Sequence, residues 1–402
     1  MPSDSSRLFA AQGARAFAYG LGAVLLGTVL EERGWSSASA ALFFASVLAG
    51  TVAANLVVGA YADRWGRRRT YAVLCGLLAV SGVVLATADT AWLIVLVALS
   101  GALSADVIES GPFTTLEQSM LGTRSRGREL VRGLGRYNAI AAAAGSGGAL
   151  LVGVPGWARK SLGWGPTDQQ LFLVLTAAAV VAFLVTRGLS PEVEAEPAPE
   201  TSVDLARLDR RRSIRRLAAL FSIDSFGGGF VAQSYIAFYL AHRFHASPGT
   251  VGATFAVLGV LSTISFLFAP PLAARIGLLQ TMVVTHIPSS FFLAAVVAAP
   301  NLAVALGCLA GRALLSQMDV PTRQAYIVAI AGPRDRSRAI ATTNTARYLT
   351  RPLGAVAAGG AASIAIGAPL VLAAVIKVTY DAAVWRAFRH VPLDDASQEV
   401  TA

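Results

Sequence analysis

Long runs of apolar residues alternate with short polar segments along the whole chain. In the first half these runs lie at about 8–30, 39–62, 70–88, 91–113, 137–157 and 169–186. In the second half they lie near 217–241, 249–272, 277–298, 302–322, 339–362 and 364–385. A helix needs about 20 residues to cross the hydrocarbon core of a bilayer. The pattern therefore predicts an all-α integral membrane protein with twelve transmembrane helices.

The arginines indicate how these helices are oriented. They gather in alternate connections, at residues 64–69, 124–136 and 207–216, whereas the connections near 300 and 363 carry no charge. Cytoplasmic loops of membrane proteins are enriched in Lys and Arg. We therefore expect a multi-pass protein of the plasma or inner membrane, with both termini in the cytoplasm.

The composition agrees with a chain that has the membrane as its solvent. Of the 402 residues, 55% are hydrophobic and only 14% are charged, which excludes an ordinary soluble domain. The net charge of +10 comes from arginines in the connections, so we expect contact with anionic membrane lipid and no nucleic-acid binding. Cys75 and Cys308 lie far apart within apolar runs, where buried thiols are expected rather than a disulfide. The first apolar run lacks the flanking pattern of a signal peptide and is predicted to be a retained helix.

A segment rich in glycine and arginine separates the second and third predicted helices. It reads Gly59-Ala-Tyr-Ala-Asp63-Arg64-Trp65-Gly66-Arg67-Arg68-Arg69. The pattern G-x-x-x-D-R-x-G-R-R-R resembles the signature between the second and third helices of the major facilitator superfamily. The residues that fall on the signature are Gly59, Asp63, Arg64, Gly66, Arg68 and Arg69. The resemblance implies a conformational latch at the cytoplasmic face, in which Asp63 meets the second half of the protein near the start of the eleventh helix. The alternative is a positive-inside loop of some other membrane protein.

The two halves of the chain carry related sequences at a constant spacing of 211 residues. The matching pairs are Arg64-Trp-Gly66 with Arg275-Ile-Gly277, and Arg136-Tyr137 with Arg347-Tyr348. Two matches at one offset indicate a duplicated six-helix unit. In the superfamily such repeats form two pseudo-symmetric bundles, with the solute near the bilayer midplane between them. We expect an N-terminal bundle at 1–187, a cytoplasmic linker at 188–216, a C-terminal bundle at 217–386 and a cytoplasmic tail at 387–402.

Several ionisable residues fall inside the predicted helices, where each needs a partner or a water-filled cavity. The candidates for solute binding and coupling are Arg15, Asp106, Glu109, Asp224, Arg312, Asp319 and Arg347. The resemblance implies that helices one, four, seven and ten line the cavity, and all of these residues except Arg347 lie on them. The alternative is that several of them form static salt bridges within the helix bundle.

Spacing suggests which of these groups act together. Asp106 and Glu109 are three residues apart and share one face of their helix. We expect Arg15 to hold Glu109 ionised until the two part, with Asp106 as the competing proton site. Lys377 and Asp381, one turn apart on the last helix, are expected to neutralise each other outside the site.

The predicted function is secondary active transport of a small solute by alternating access, coupled to protons and directed outward. The sequence contains no Walker-type phosphate loop, and its four histidines are scattered without the spacing of a metal or acid–base site. We therefore expect no enzyme activity and no cofactor or metal, and a monomer as the working form. The alternatives are an importer of an organic anion or other small metabolite, and a non-transporting membrane sensor.

Overall fold

The computed structural model describes residues 3–32, 37–104, 107–108, 111–151, 161, 163, 165–167, 169–194, 205–246, 248–331 and 335–391. The helices of the first half are α1 (Asp4–Glu32), α2 (Ser37–Trp65), α3 (Arg67–Thr87), α4 (Ala91–Ala98), α5 (Pro112–Arg124), α6 (Gly127–Leu151) and α7 (Leu173–Thr186). Those of the second half are α8 (Leu205–Gly229), α9 (Gln233–Phe244), α10 (Pro248–Ile276), α11 (Leu278–Ala298), α12 (Leu302–Ser316), α13 (Asp319–Ala331), α14 (Arg336–Ile364) and α15 (Ala368–Phe388). Short 3₁₀ turns cover Gln169–Phe172 and Pro191–Val193.

These helices confirm the predicted fold class. Each of the twelve predicted apolar segments contains helix, and the described residues include no strand. Seven helical stretches of the described chain are long and apolar enough to cross a membrane. The protein is therefore an all-α membrane protein.

Three of the predicted transmembrane segments each contain an interruption between two shorter helices. The segment 91–113 forms α4 and the start of α5, 217–241 forms α8 and α9, and 302–322 forms α12 and α13. In the first case Gly101 and Gly111 have φ angles of 72° and 68°, a region that favours glycine, and Pro112 then begins α5. Apolar content does not report such local backbone geometry, and the sequence pattern therefore missed the breaks.

The connection between the second and third helices has the same geometry in both halves. Gly66 (φ 98°) precedes α3, and Gly277 (φ 89°) precedes α11, 211 residues later. Both helices contain 21 residues. In each, a threonine hydroxyl donates to the glycine carbonyl oxygen, from Thr70 at 2.9 Å and from Thr281 at 2.7 Å. These matching details support the duplication inferred from the sequence.

The chain divides into two compact units. Unit 1 comprises Met1–Arg124 and Ile140–Ala198, and unit 2 comprises Ser125–Ala139 and Pro199–Ala402, so α6 contributes to both. The basic end of the predicted linker is helical from Leu205 onward, as the first turns of α8. The domain limits expected from the sequence stay a prediction.

Glycines allow close helix pairs within each unit. In unit 1, a Cβ atom on Gly20 would overlap the backbone of α6, and one on Gly148 would overlap the backbone of α1. In unit 2, a Cβ atom on Gly229 would overlap the backbone of α14, and one on Gly354 would overlap that of α8. Small residues at such crossings are how membrane helices gain packing contacts that lipid cannot supply.

Candidate functional site

A buried ion pair joins α1 and α5 in unit 1. Arg15 and Glu117 are both completely buried, and the Arg15 guanidinium donates to the Glu117 carboxylate. Arg15 also donates to Gln12 Oε1 at 2.6 Å, and the Tyr71 hydroxyl of α3 donates to Glu117 Oε1 at 2.6 Å. The guanidinium lies over the ring of Phe113, 4.3 Å from its centroid. We call Gln12, Arg15, Tyr71 and Glu117 the Arg15–Glu117 cluster.

The structure gives Arg15 a partner that the sequence analysis did not predict, Glu117. Glu109 and Asp106 lie outside the described residues, so the expected pairing of Arg15 with Glu109 stays a prediction. The prediction ended the fourth helix at residue 113, which placed Glu117 beyond the membrane helix, whereas α5 continues to Arg124 and buries Glu117 in its middle. A predicted helix that continued to Arg124 would have included Glu117 among the buried ionisable residues.

A larger cluster of charges lies in unit 2, around Asp224 of α8. Lys377 of α15 donates to Asp224 Oδ1 at 2.6 Å. His286 of α11 lies between two carboxylates: its Nδ1 is 3.0 Å from both oxygens of Asp381, and its Nε2 is 3.7 Å from Asp224 Oδ1. All four side chains are buried.

Helix α13 adds a second cation and a third carboxylate to this cluster. Arg323 donates to Asp319 Oδ2 at 2.8 Å and lies 3.8 Å from Asp224 Oδ2. Its guanidinium is 5.6 Å from the centroid of the Phe221 ring. The members of what we call the Asp224 cluster are Asp224, His286, Asp319, Arg323, Lys377 and Asp381. The cluster therefore connects four helices through charged groups.

Only part of the predicted second-half site is brought together by these contacts. Asp224 and Asp319 meet through Arg323. Arg312 on α12 and Arg347 on α14 act on Asp224 electrostatically, and the Arg347 carbonyl oxygen accepts a hydrogen bond from Ser225 at 2.8 Å.

The expected pairing of Lys377 with Asp381 was wrong. Lys377 contacts Asp224, and Asp381 contacts His286, which the sequence analysis had not singled out. His286 and Lys377 carried no signal as site residues because their partners come from other helices. Only the presence of ionisable groups within apolar runs pointed to them.

The segment with the superfamily signature forms a hydrogen-bonded structure within unit 1. Asp63 Oδ1 accepts from Arg67 Nε at 2.8 Å. The buried Arg67 guanidinium also donates to Thr123 Oγ1 at 2.7 Å and to the Val193 carbonyl oxygen at 3.1 Å. Arg67 thus connects the end of α2 to α5 and to the turn that follows α7.

A glutamate from that turn closes the same structure. The Glu194 carboxylate accepts from the backbone amides of Arg67 at 2.5 Å and Arg68 at 3.2 Å. Gly59 is half-buried near the end of α2, whereas the side chains of Arg64 and Arg69 are exposed. The expected contact of Asp63 with the eleventh helix stays a prediction.

The fold and the buried charges indicate a class of protein. A duplicated helical unit with ionisable residues buried on its membrane helices is the architecture of many polytopic transporters. The family model described as Major Facilitator Superfamily matches residues 8–355. The chain belongs to this superfamily of multi-pass membrane transporters.

Individual relatives agree with this assignment. The membrane protein YJR124C of Saccharomyces cerevisiae is 24% identical over 393 residues, covering 89% of this chain and 87% of its own length. The human organic anion transporter MFSD10 (TETRAN) superposes with a TM-score of 0.74 at 16% identity, covering 96% of this chain and all of its own. The proton:xylose symporter XylE, bound to 6-bromo-6-deoxy-D-glucose, gives a TM-score of 0.68 at 16% identity and 98% coverage of each chain. At these identities the two structures show a shared fold.

Proposed function

We propose that the chain is a secondary active transporter that exports a small solute by alternating access, driven by the proton gradient. The observation that carries this proposal is the Arg15–Glu117 cluster, an ion pair without solvent exposure on membrane helices. Removing a charge from water costs several kcal/mol per ion. The attraction between the two buried charges is of similar size, so the pair gains little net stability. A buried ion pair is thus weak evidence for stability, and in a membrane transporter it supports a functional role.

The geometry of the cluster suggests how it would exchange a proton. Arg15 is the cation that pairs with the Glu117 carboxylate. If α1 and α5 move apart, or if an anionic group of the solute pairs with Arg15, the carboxylate loses that cation while it is still buried. Protonation then removes the uncompensated charge, and the return of Arg15 releases the proton. The Tyr71 hydroxyl, 2.6 Å from Glu117 Oε1, would keep the carboxyl group oriented during both steps.

The donors of the cluster suggest a solute with acceptor groups. Among the described residues, the buried Nε2 of Gln12 has no hydrogen-bond partner, and buried donors are normally satisfied. An anionic or polyhydroxylated solute would offer acceptors to this amide and to Arg15. MFSD10, an organic anion transporter, and XylE, a proton:xylose symporter, agree with this class by analogy only.

Import of an organic anion is the second candidate, because Arg15 would attract an anion in either direction of transport. The choice of export rests on analogy with superfamily members of similar length. We also propose that the protein lies in the plasma or inner membrane, has both termini in the cytoplasm and acts as a monomer.

The test begins with the purified protein. A panel of organic anions and sugars is screened for an increase in thermal stability, since a bound solute stabilises by mass action. The panel compounds that stabilise the protein are then assayed in proteoliposomes, with a pH-sensitive dye inside and an imposed pH gradient. We expect movement of the compound against its own gradient, opposite in direction to the proton flux. Accumulation in the same direction as the proton flux would indicate the importer instead.

The matched variants separate coupling from binding. Glu117→Gln should abolish gradient-driven accumulation while exchange without a gradient survives, and Glu192→Gln, an exposed carboxylate, should behave as wild type. Asp106→Asn and Glu109→Gln belong in the same assay, because these residues stay the sequence-based candidates for the coupling carboxylate. If Glu117→Gln accumulates the compound normally, the Arg15–Glu117 cluster is not the coupling site. If no panel compound crosses the membrane under any gradient, the transport proposal itself fails for these solute classes.

A further inference from the structure

We propose that the pair formed by His286 and Asp381 in the Asp224 cluster is a proton-binding site of unit 2. This inference rests on the proposed function in that a proton-driven transporter needs groups that change protonation during its cycle. It concerns a pair separate from Arg15 and Glu117. Its ligand is a single proton, and no oxidation or transfer of another group is involved.

The pairing of charges leaves one carboxylate that depends on histidine. Asp224 has Lys377 at 2.6 Å, and Asp319 has Arg323 at 2.8 Å, both permanent cations. Among the described residues, His286 is the one basic side chain within 4 Å of the Asp381 carboxylate. The charge of Asp381 is therefore balanced only when His286 carries a second proton.

The two ring nitrogens of His286 have different surroundings. When Asp381 is ionised, Nδ1, at 3.0 Å from both of its oxygens, donates its hydrogen to that carboxylate. Nε2 faces a donor, Lys377 Nζ at 3.5 Å, and an acceptor, Asp224 Oδ1 at 3.7 Å. It can accept from the lysine when the ring is neutral, or donate to the aspartate when the ring is charged. With Asp381 ionised, Nε2 is thus the atom at which the second proton of the ring adds and leaves.

The other groups around the ring set the balance between these two states. Tyr380 of α15 meets the imidazole edge to face, with centroids 6.0 Å apart. Lys377 Nζ, 3.5 Å from Nε2, opposes a further positive charge on the ring, whereas Asp224 and Asp381 favour it. Arg312 and Arg347 act on Asp224 from α12 and α14. Helix α10, which also packs against α11, has its charged residue Arg275 in its last turn.

Protonation of the pair would affect other contacts of unit 2 through Asp224. Asp224 lies within 4 Å of His286, Arg323 and Lys377, so a change of charge at Nε2 acts directly on its carboxylate. A proton on Nε2 adds a donor to Asp224 and removes the acceptor that Lys377 had. Protonation of His286 would therefore redistribute the contacts of α8, α13 and α15 together.

The test counts protons directly and needs no solute. The full-length protein in lipid nanodiscs is titrated between pH 8 and pH 5, and its proton uptake is compared with that of His286→Gln, Asp381→Asn and the double variant. We expect each variant to take up about one proton less than wild type, because an exchangeable histidine binds one proton in this range. Asp209→Asn is the matched control, because its side chain is 75% exposed and lies outside the Asp224 cluster.

The outcomes separate a proton site from a static ion network. Wild-type uptake by His286→Gln would show that the ring does not titrate, and wild-type uptake by Asp381→Asn would show that the carboxylate is not its partner; either result overturns the inference. If a single variant fails to fold, the double variant decides, because it removes both members and leaves neither group unpaired. The proposed function is tested separately. If wild-type proteoliposomes show no gradient-driven solute flux while the variants lose proton uptake as expected, the proposed function fails and the proton-binding site stands.

Discussion

The turn that follows α7 supplies a cap for α3 from far along the chain. Gly66 precedes α3 with a φ angle of 98° and has no side chain to bind the free amides of the first turn. Glu194 accepts from two of those amides, Arg67 N at 2.5 Å and Arg68 N at 3.2 Å. Replacing Glu194 with alanine should therefore release the start of α3 while the remaining contacts of Arg67 persist.

The size of the effect follows from the two interactions that are lost. Loss of a side-chain N-cap costs about 0.5–2 kcal/mol, and a negative charge beside a helix N-terminus contributes roughly 0.3–1 kcal/mol. Glu194 is half-buried, so solvent screens part of the charge effect. We expect a local loss of about 1–2 kcal/mol, which corresponds to exchange of the first α3 amides that is roughly 5- to 30-fold faster.

Hydrogen–deuterium exchange of the protein in nanodiscs measures this directly. Peptides that cover Gly66 to Thr70 should exchange faster in Glu194→Ala, while those from the middle of α3 should not change. Glu192→Ala is the matched control, since it removes an exposed carboxylate from the same 3₁₀ turn. Unchanged exchange in Glu194→Ala, or an equal increase in Glu192→Ala, would contradict the capping role.

Three further predictions concern packing, the latch and topology. Gly354→Val should lower the free energy of unfolding by about 1–3 kcal/mol, seen as a lower thermal midpoint, because the valine side chain would meet the backbone of α8. Gly360→Ala should have little effect, since the described residues place no heavy atom near its added Cβ. Equal midpoints for the two variants would refute the close crossing. Asp63→Asn should fold normally but turn over more slowly, as its ion pair within the latch is lost; full transport activity would argue against a latch. A single cysteine at Ser247 should react with an impermeant reagent in intact cells and one at Thr201 should not; the reverse pattern would invert the topology.

The helices and their duplication could be predicted from the sequence because both depend on patterns that are local or periodic. Apolar runs of about 20 residues report burial in lipid irrespective of tertiary partners. The match of Arg64-Trp-Gly66 with Arg275-Ile-Gly277 reappears as two glycines of positive φ that start helices of equal length. Here the residue type and the backbone conformation are directly related, since few residues other than glycine adopt that conformation.

The interruption of the fourth helix shows where such patterns stop being informative. The segment 91–113 was predicted to be one continuous helix, although Leu99 to Gly111 is less apolar than the preceding residues and contains Asp106 and Glu109. The two glycines of positive φ and Pro112 decide the local conformation instead. The predicted fourth helix also ended near residue 113, so Glu117, which is buried on α5, was missed as a partner of Arg15.

The error on Lys377 and Asp381 has a different cause. A spacing of four residues favours pairing on an exposed helix, but only by about 0.2–0.5 kcal/mol. Both side chains are buried on α15, where leaving a charge unpaired costs on the order of 3–5 kcal/mol. Tertiary partners therefore outweigh spacing: Lys377 takes Asp224 and Asp381 takes His286.

Arg323 and Asp319 show when a local pair survives burial. They are also four residues apart, on α13, and here the ion pair forms at 2.8 Å. The difference is that Asp224 approaches the same guanidinium from α8, at 3.8 Å, and Phe221 lies beside it. An arginine has five N–H donors and can serve a local and a distant carboxylate at once, whereas an ammonium group is a point charge directed at its nearest partner. The Asp224 cluster thus keeps its one local pair where the cation is arginine, and exchanges it for a tertiary pair where the cation is lysine.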